Sequence, residues 1–116
     1  MNYKIYQMQR SNKLTYHFMG WEFAKRYNFT LDDYNLVYEG QKITYKNGIE
    51  CKDPMMCLEM LFTKFNIRRP SDFTGHSLSV SDVVELITDD KSKFYYCDSF
   101  GWEDITEEVL MQEVTI

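Results

Sequence analysis

The stretch 78-LSVSDVVELITDDKSKFYYC-97 decides the fold, because it contains two apolar segments around a polar turn. Residues 78–87 and 93–97 are rich in Val, Ile, Leu and Tyr, which favour strands. Residues 89–92, Asp-Asp-Lys-Ser, have the composition of a turn. The stretch therefore predicts two strands that pair as an antiparallel hairpin.

The residues N-terminal to this hairpin predict one strand and one helix. Residues 3–9 alternate in the way that is typical of a strand. Leu14, Phe18 and Trp21 recur at spacings of four and three residues, which predicts an amphipathic helix over 13–27. Asn28 is expected to end that helix.

The middle of the chain predicts a second strand, a turn and a second helix. Residues 34–39 form the strand, and 42–46 alternate toward the turn dipeptide Asn47-Gly48, which predicts a hairpin or a short edge strand. Asp53-Pro54 is a strong helix start, since Asp caps the first turn and Pro needs no hydrogen-bond acceptor there. The predicted helix covers 54–66.

The C-terminal residues predict a short strand over 102–105 and a possible short helix over about 105–112, which begins at the capping-box spacing of Asp104 and Glu107. The order β-α-β-β-α-β-β predicts an α+β fold: a mainly antiparallel sheet with two main helices packed on one face. A length of 116 residues fits a single domain over 1–116.

Composition limits the classes of protein that the chain can represent. The hydrophobic fraction of 44% favours a folded core over disorder. No apolar run is long enough for a membrane span or signal peptide, so we expect a cytoplasmic protein without membrane contact. Cys51, Cys57 and Cys97 are odd in number and lack Cys-x-x-Cys spacing, which argues against disulfides and zinc.

Acidic residues are concentrated at the C-terminus. Residues 98–116 contain six acidic side chains and no Lys or Arg, whereas 1–97 contain 13 basic and 12 acidic side chains. We therefore expect an acidic extension over about 103–116, which repels nucleic acid and attracts basic partners. A solvated tail that only keeps the protein soluble explains the same pattern.

Several segments in the right order resemble one family. The segments 75-GHSLSVSD-82 and 95-YYCDSFG-101, together with 18-FMGWEFAKR-26 and 34-YNLVYEG-40, resemble the YodL-like domain family. The resemblance implies a small domain of Gram-positive bacteria and their mobile elements, often beside counter-defence functions. It supplies no catalytic residues.

The polar and glycine residues of these motifs are predicted to be structural, because Ser and Asp commonly bond to the backbone of turns. They are Gly75, His76, Ser77, Ser79, Ser81, Asp82, Asp98, Ser99 and Gly101. A hydrolase site is disfavoured, since strand alternation directs neighbouring side chains to opposite faces.

Two further enzymatic alternatives are weaker. Cys97 with His76 could form a thiol pair, and the carboxylates Asp82, Asp89, Asp90 and Asp98 could hold Mg²⁺ for a nuclease that acts on guide RNA. No cofactor or metal is nevertheless expected.

Two surfaces are candidates for contact. An RNA backbone could follow a loosely basic group in the middle of the chain, although the acidic isoelectric point disfavours direct nucleic-acid binding. This group comprises Lys42, Lys46, Lys64, Arg68 and Arg69. A protein partner could bind an aromatic and acidic surface near the C-terminus. That surface comprises Tyr96, Phe100, Trp102, Glu103, Asp104, Glu107 and Glu108.

From the acidic surface and the implied context, we predict a non-catalytic protein-binding module of a mobile element. Its expected role is to inhibit a host defence nuclease, such as a CRISPR effector, by blocking the loading of guide RNA or DNA. Two alternatives stay open: the metal-dependent nuclease, and an adaptor that binds a host cytoplasmic or cytoskeletal assembly. The sequence leaves the oligomeric state open.

Overall fold

A computed structural model of the chain describes residues 1–8 and 16–113, which contain one five-stranded antiparallel sheet and three α-helices. The strands are β1 (Asn2–Met8), β2 (Tyr34–Gly40), β3 (Val83–Thr88), β4 (Lys91–Cys97) and β5 (Trp102–Asp104). The helices are α1 (Trp21–Arg26), α2 (Pro54–Ile67) and α3 (Thr106–Glu113). The strand order β2-β1-β3-β4-β5 places the N-terminal strand inside the sheet.

One face of the sheet packs against α2. Alternation along the strands directs Ile5, Val84 and Tyr95 to this face, where they form one apolar cluster with Leu61 and Phe65 of α2. The N-terminus of α2 is capped as predicted: the Asp53 side chain accepts from the backbone N–H of Met56 at 3.3 Å. The prediction of a helix over 54–66 is confirmed.

The opposite face packs against α1 and α3. Val83 and Tyr96 point to this face and share a second apolar cluster with Trp21 of α1 and Val109 of α3. The prediction of an α+β fold with a mainly antiparallel sheet is confirmed. The helices, however, cover both faces, because β3 and β4 carry large apolar residues at successive positions and not at alternate ones. The expectation that both main helices pack on one face is therefore wrong.

Two predicted strands differ from the structure. The first strand of the hairpin begins at Val83 and not at residue 78, since Ser81 has a left-handed backbone (φ +84°) that a strand cannot contain. Residues 42–46 do not join the sheet. They form a small hairpin with a single bridge between Thr44 and Glu50, and Gly48 (φ +86°) supplies its turn as predicted.

The first helix is shorter than predicted. α1 starts at Trp21, because Phe18 is left-handed (φ +64°) and Gly20 is extended, so the helix cannot continue toward residue 16. Residues 13–15 of the predicted helix lie outside the described residues. The predicted stop at Asn28 is confirmed by its left-handed backbone (φ +62°) directly after the helix.

The C-terminal predictions are confirmed at β5 and α3. Asp104 Oδ1 accepts from the backbone N–H of Thr106 at 2.9 Å, which satisfies a free donor of the first turn of α3. Within residues 1–8 and 16–113, no helix has both the length and the apolar character that crossing a membrane requires.

Candidate functional site

The loop that leads into β3 is anchored by Gln7 of β1. Its Nε2 donates to the His76 carbonyl at 2.8 Å and its Oε1 accepts from the His76 N–H at 3.1 Å. The same Nε2 lies 3.1 Å from Asp82 Oδ2. Gly75 fits this position because a Cβ there would collide with Gln7 Oε1 and press on the Phe73 ring.

Asp82 is the most unusual charged residue of this loop, because it is fully buried. Its Oδ2 accepts from the Ser79 N–H at 2.9 Å and from Gln7, while Oδ1 has no hydrogen-bond partner within the described residues. Burial raises the pKa of Asp82 from 3.8 to about 7, although these two hydrogen bonds oppose the shift. Asp82 therefore changes its charge near neutral pH.

The serines of the loop are engaged with the backbone. Ser81 Oγ accepts from the Phe18 N–H at 3.0 Å, and the Ser81 carbonyl accepts from the Tyr34 hydroxyl at 2.6 Å. The Ser77 carbonyl lies 2.7 Å from His76 Nδ1, and the Ser79 carbonyl accepts from the Asp82 N–H. The Ser81 contacts connect the loop to two other segments, at Phe18 and Tyr34, and favour a structural role.

The turn between β4 and β5 positions α1. Asp98 Oδ1 accepts from the N–H groups of Ser99 at 2.8 Å and Trp21 at 3.2 Å. Because Gly20 stands at the N-cap position of α1 and has no side chain, Asp98 supplies the capping oxygen. A Cβ at Gly20 would lie 2.7 Å from Asp98 Oδ1. Gly101 (φ +83°) closes the turn, and its carbonyl accepts from the Asp98 N–H.

The predicted acidic and aromatic surface is divided by the fold. Tyr96 is fully buried and donates its hydroxyl to the Met19 carbonyl at 2.6 Å, so it cannot belong to a contact surface, which corrects the sequence prediction. Trp102 is half-buried against Phe62, and Glu108 is also half-buried. The exposed members form what we call the acidic edge: Phe100, Glu103, Asp104 and Glu107.

The predicted basic group is exposed throughout, but the fold gathers only part of it. Lys46, Lys64 and Arg68 line a groove of about 690 Å³ between α2 and the 44–50 hairpin. Lys42 and Arg69 do not line that groove.

The residues of the enzymatic alternatives are not brought into one cluster. Asp89 and Asp90 lie at the β3–β4 turn, at the opposite end of the sheet from Asp82 and Asp98. Within the described residues no group of three or more His, Cys, Asp or Glu is close enough to hold a metal ion. Cys97 is buried, which raises the pKa of its thiol to about 12 and disfavours the thiolate.

Sequence reasoning missed Gln7 and Tyr34, whose side chains hold the motif loop. Gln7 lies within the predicted strand over 3–9, whose alternation alone assigns no role to its side chain. A polar side chain on the buried face of an apolar strand was the signal, since such a group must find hydrogen-bond partners.

The comparisons with known proteins agree with the motifs. The family model described as YodL-like domain matches residues 2–107, so the match ends inside α3. No curated protein and no solved structure matches the chain. Because the match covers most of its length, the chain belongs to the YodL-like domain family.

Proposed function

We propose that this protein is a non-catalytic protein-binding module that inhibits a host defence nuclease. One observation supports the proposal above the others: Phe100 is 98% exposed beside the acidic edge strand. An aromatic side chain that gains nothing from the fold is well suited to anchor a partner. The acidic edge is accordingly the proposed contact surface.

The charge of the acidic edge indicates the kind of partner. Glu103 and Glu107 are exposed, and within the described residues neither of them forms an ion pair. Residues 98–116 contain no Lys or Arg that could neutralise them. Such a surface attracts basic proteins and repels nucleic acid.

Nucleases of RNA-guided defence hold guide RNA and target DNA in positively charged channels. An acidic surface with an aromatic anchor can occupy a channel of this kind and block nucleic-acid loading. We therefore propose a CRISPR effector as the target and a mobile element as the genetic context. The target class rests on charge complementarity and on the context that the family resemblance implies.

An order-of-addition experiment tests this mechanism. A purified RNA-guided DNA nuclease from a Gram-positive bacterium is given the protein before or after the guide RNA, and cleavage of a labelled target DNA is followed. We expect inhibition when the protein is added first and little inhibition once guide and target are bound. Equal inhibition in either order would contradict a block of loading.

Variants of the acidic edge test whether its side chains contact the partner. In the test variant, Phe100→Ala, Glu103→Gln and Glu107→Gln remove the anchor and two charges, whereas Asp104 is kept because it caps α3. The matched control, Asp89→Asn with Asp90→Asn, also removes two charges, but at the other end of the sheet. Both control positions have positive φ angles, which Asn tolerates.

We expect the test variant to lose inhibition by about tenfold or more, and the control to inhibit like wild type. Equal inhibition by both variants would show that the acidic edge does not contribute to inhibition. Recovery of cytoskeletal proteins on the immobilised wild type, but not on the test variant, would favour an adaptor. Cleavage of guide RNA in the presence of a divalent metal would favour an enzyme.

A further inference from the structure

Helix α2 has a second apolar stripe, which reaches the core only through the partly buried Met60. Its buried side chains, which include Leu58, Leu61 and Phe65, face the sheet. Met56, Met60 and Ile67 recur at i, i+4 and i+11, so they share a different side of the helix. Met56 is 44% exposed and Ile67 is 74% exposed. The two ends of the stripe, at Met56 and Ile67, therefore lie open to solvent.

The 44–50 hairpin turns this stripe into a groove. Tyr45 and Lys46 of the hairpin form one wall, and α2 forms the other, around a volume of about 690 Å³. The hairpin is held in shape by the Tyr45 N–H, which donates to the Ile49 carbonyl at 2.8 Å. We call this feature the α2 groove. Its long axis follows a helix with apolar side chains at heptad-like spacing, which is the geometry that accepts another helix.

The charge at the α2 groove selects an acidic partner. Lys46, Lys64 and Arg68 line it, and Glu59 is the one carboxylate among its lining residues. Within residues 1–8 and 16–113, none of the three cations forms an ion pair. The groove is therefore positively charged although the net charge of the chain is −5, and a positive surface attracts acidic partners.

The composition of the α2 groove favours a protein partner over RNA. Single-stranded RNA binds on aromatic side chains that stack with bases, and Tyr45 is the one aromatic residue that lines the groove. Methionine side chains instead adapt to the apolar face of a helix. We propose that the α2 groove binds an amphipathic helix of another protein, with an apolar stripe flanked by Asp and Glu. This site goes beyond the proposed function, because α2 lies on the sheet face opposite α3.

Three designed peptides test the proposal. The first is a helical peptide of about 18 residues with Leu at i, i+4, i+7 and i+11, Glu at the flanking positions and Ala elsewhere. The second carries Lys in place of Glu, and a third keeps the composition of the first but distributes its leucines around the helix. Binding of the labelled peptides is measured by fluorescence anisotropy, and a single-stranded RNA is measured beside them.

We expect the Glu peptide to bind at least about tenfold more tightly than the other two peptides and the RNA. Absence of binding by the Glu peptide, equal binding of the Lys or rearranged peptide, or tighter binding of RNA would each overturn the proposal.

Charge-reversal variants locate the binding site. The test variant carries Lys46→Glu, Lys64→Glu and Arg68→Glu, and the control changes the exposed Lys25, Lys91 and Lys93, which do not line the α2 groove, to Glu. The test variant removes three surface charge pairs with the peptide, so it should lose about tenfold in affinity or more. The control should bind like wild type. An equal loss in both variants would mean that net charge, and not the groove, determines binding.

A substitution of one apolar residue tests the stripe of α2 independently of charge. Ile67→Ser alters a side chain that is already 74% exposed, so the fold should persist. We expect weaker binding of the Glu peptide with an unchanged melting temperature. Unchanged affinity would overturn the role of the stripe.

Discussion

The buried carboxyl of Asp82 makes the stability of this protein depend on pH in an unusual direction. Burial raises its pKa from 3.8 to about 7 in the folded state. Between these two values the unfolded chain has released its proton and the folded chain has not. The contribution of Asp82 to stability is therefore largest below about pH 4, falls as the pH rises toward 7, and levels off above it.

The size of this loss follows from the shift. Each pKa unit corresponds to about 1.4 kcal/mol, so the full shift corresponds to about 4 kcal/mol as an upper bound. The shift already includes the opposing hydrogen bonds from Gln7 and Ser79. Because structural relaxation further lowers the cost of burial, we expect about 3 kcal/mol. Asp82→Asn removes the titration but keeps an oxygen that can accept both hydrogen bonds.

Urea unfolding of wild type and Asp82→Asn at pH values from 4 to 8 measures the effect. The difference between the two free energies of unfolding isolates Asp82 from all other titrating groups. It should change by about 3 kcal/mol in favour of the variant as the pH rises. The exposed Asp89→Asn serves as control and should follow wild type. A wild-type minus Asp82→Asn difference that stays constant with pH would refute the reasoning.

Three further predictions concern the core and the thiols. Phe65→Ala should lower the free energy of unfolding by about 3–5 kcal/mol, because Phe65 is fully buried; a loss below about 1 kcal/mol in urea unfolding would contradict this packing. Gly75→Ala should cost about 1–3 kcal/mol through its contact with Gln7, while the exposed Thr74→Ala should cost little; equal melting temperatures would argue against the close approach. Cys97 and the other two thiols are buried, so the native protein should react with a thiol reagent at least about tenfold more slowly than the unfolded chain; a rapid native reaction would show that a thiol is accessible.

Capping and turn residues in the sequence correctly predicted a helix start, a turn and a helix end. Asp53-Pro54 starts α2, Asn47-Gly48 forms a turn and Asn28 follows the end of α1, because each depends on capping or on a left-handed backbone that its own residue type favours. The antiparallel hairpin of β3 and β4 followed from apolar composition around a polar turn. The family motifs were also readable from the sequence.

Tertiary contacts decided what the sequence pattern could not predict. Phe18 and Ser81 adopt left-handed conformations that neither residue type favours, and one hydrogen bond joins the Phe18 N–H to Ser81 Oγ. Tyr96 resembled a surface aromatic, yet helices on both sides of the sheet bury both faces of β4. The α2 groove was invisible because it forms only when the hairpin lies against the helix.

The interior position of β1 also determines how the chain must assemble. β1 pairs with β3, so Ile5 lies opposite Val84, and these partners are separated by about two thirds of the chain. Contacts between residues so distant in sequence raise the contact order, which slows folding to the order of milliseconds to seconds. During synthesis, β1 and β2 can pair early, but the other edge of β1 stays unpaired until β3 leaves the ribosome. The nascent chain is thus most exposed to aggregation until β3 has left the ribosome, and truncation ahead of β3 would leave one edge of β1 unpaired.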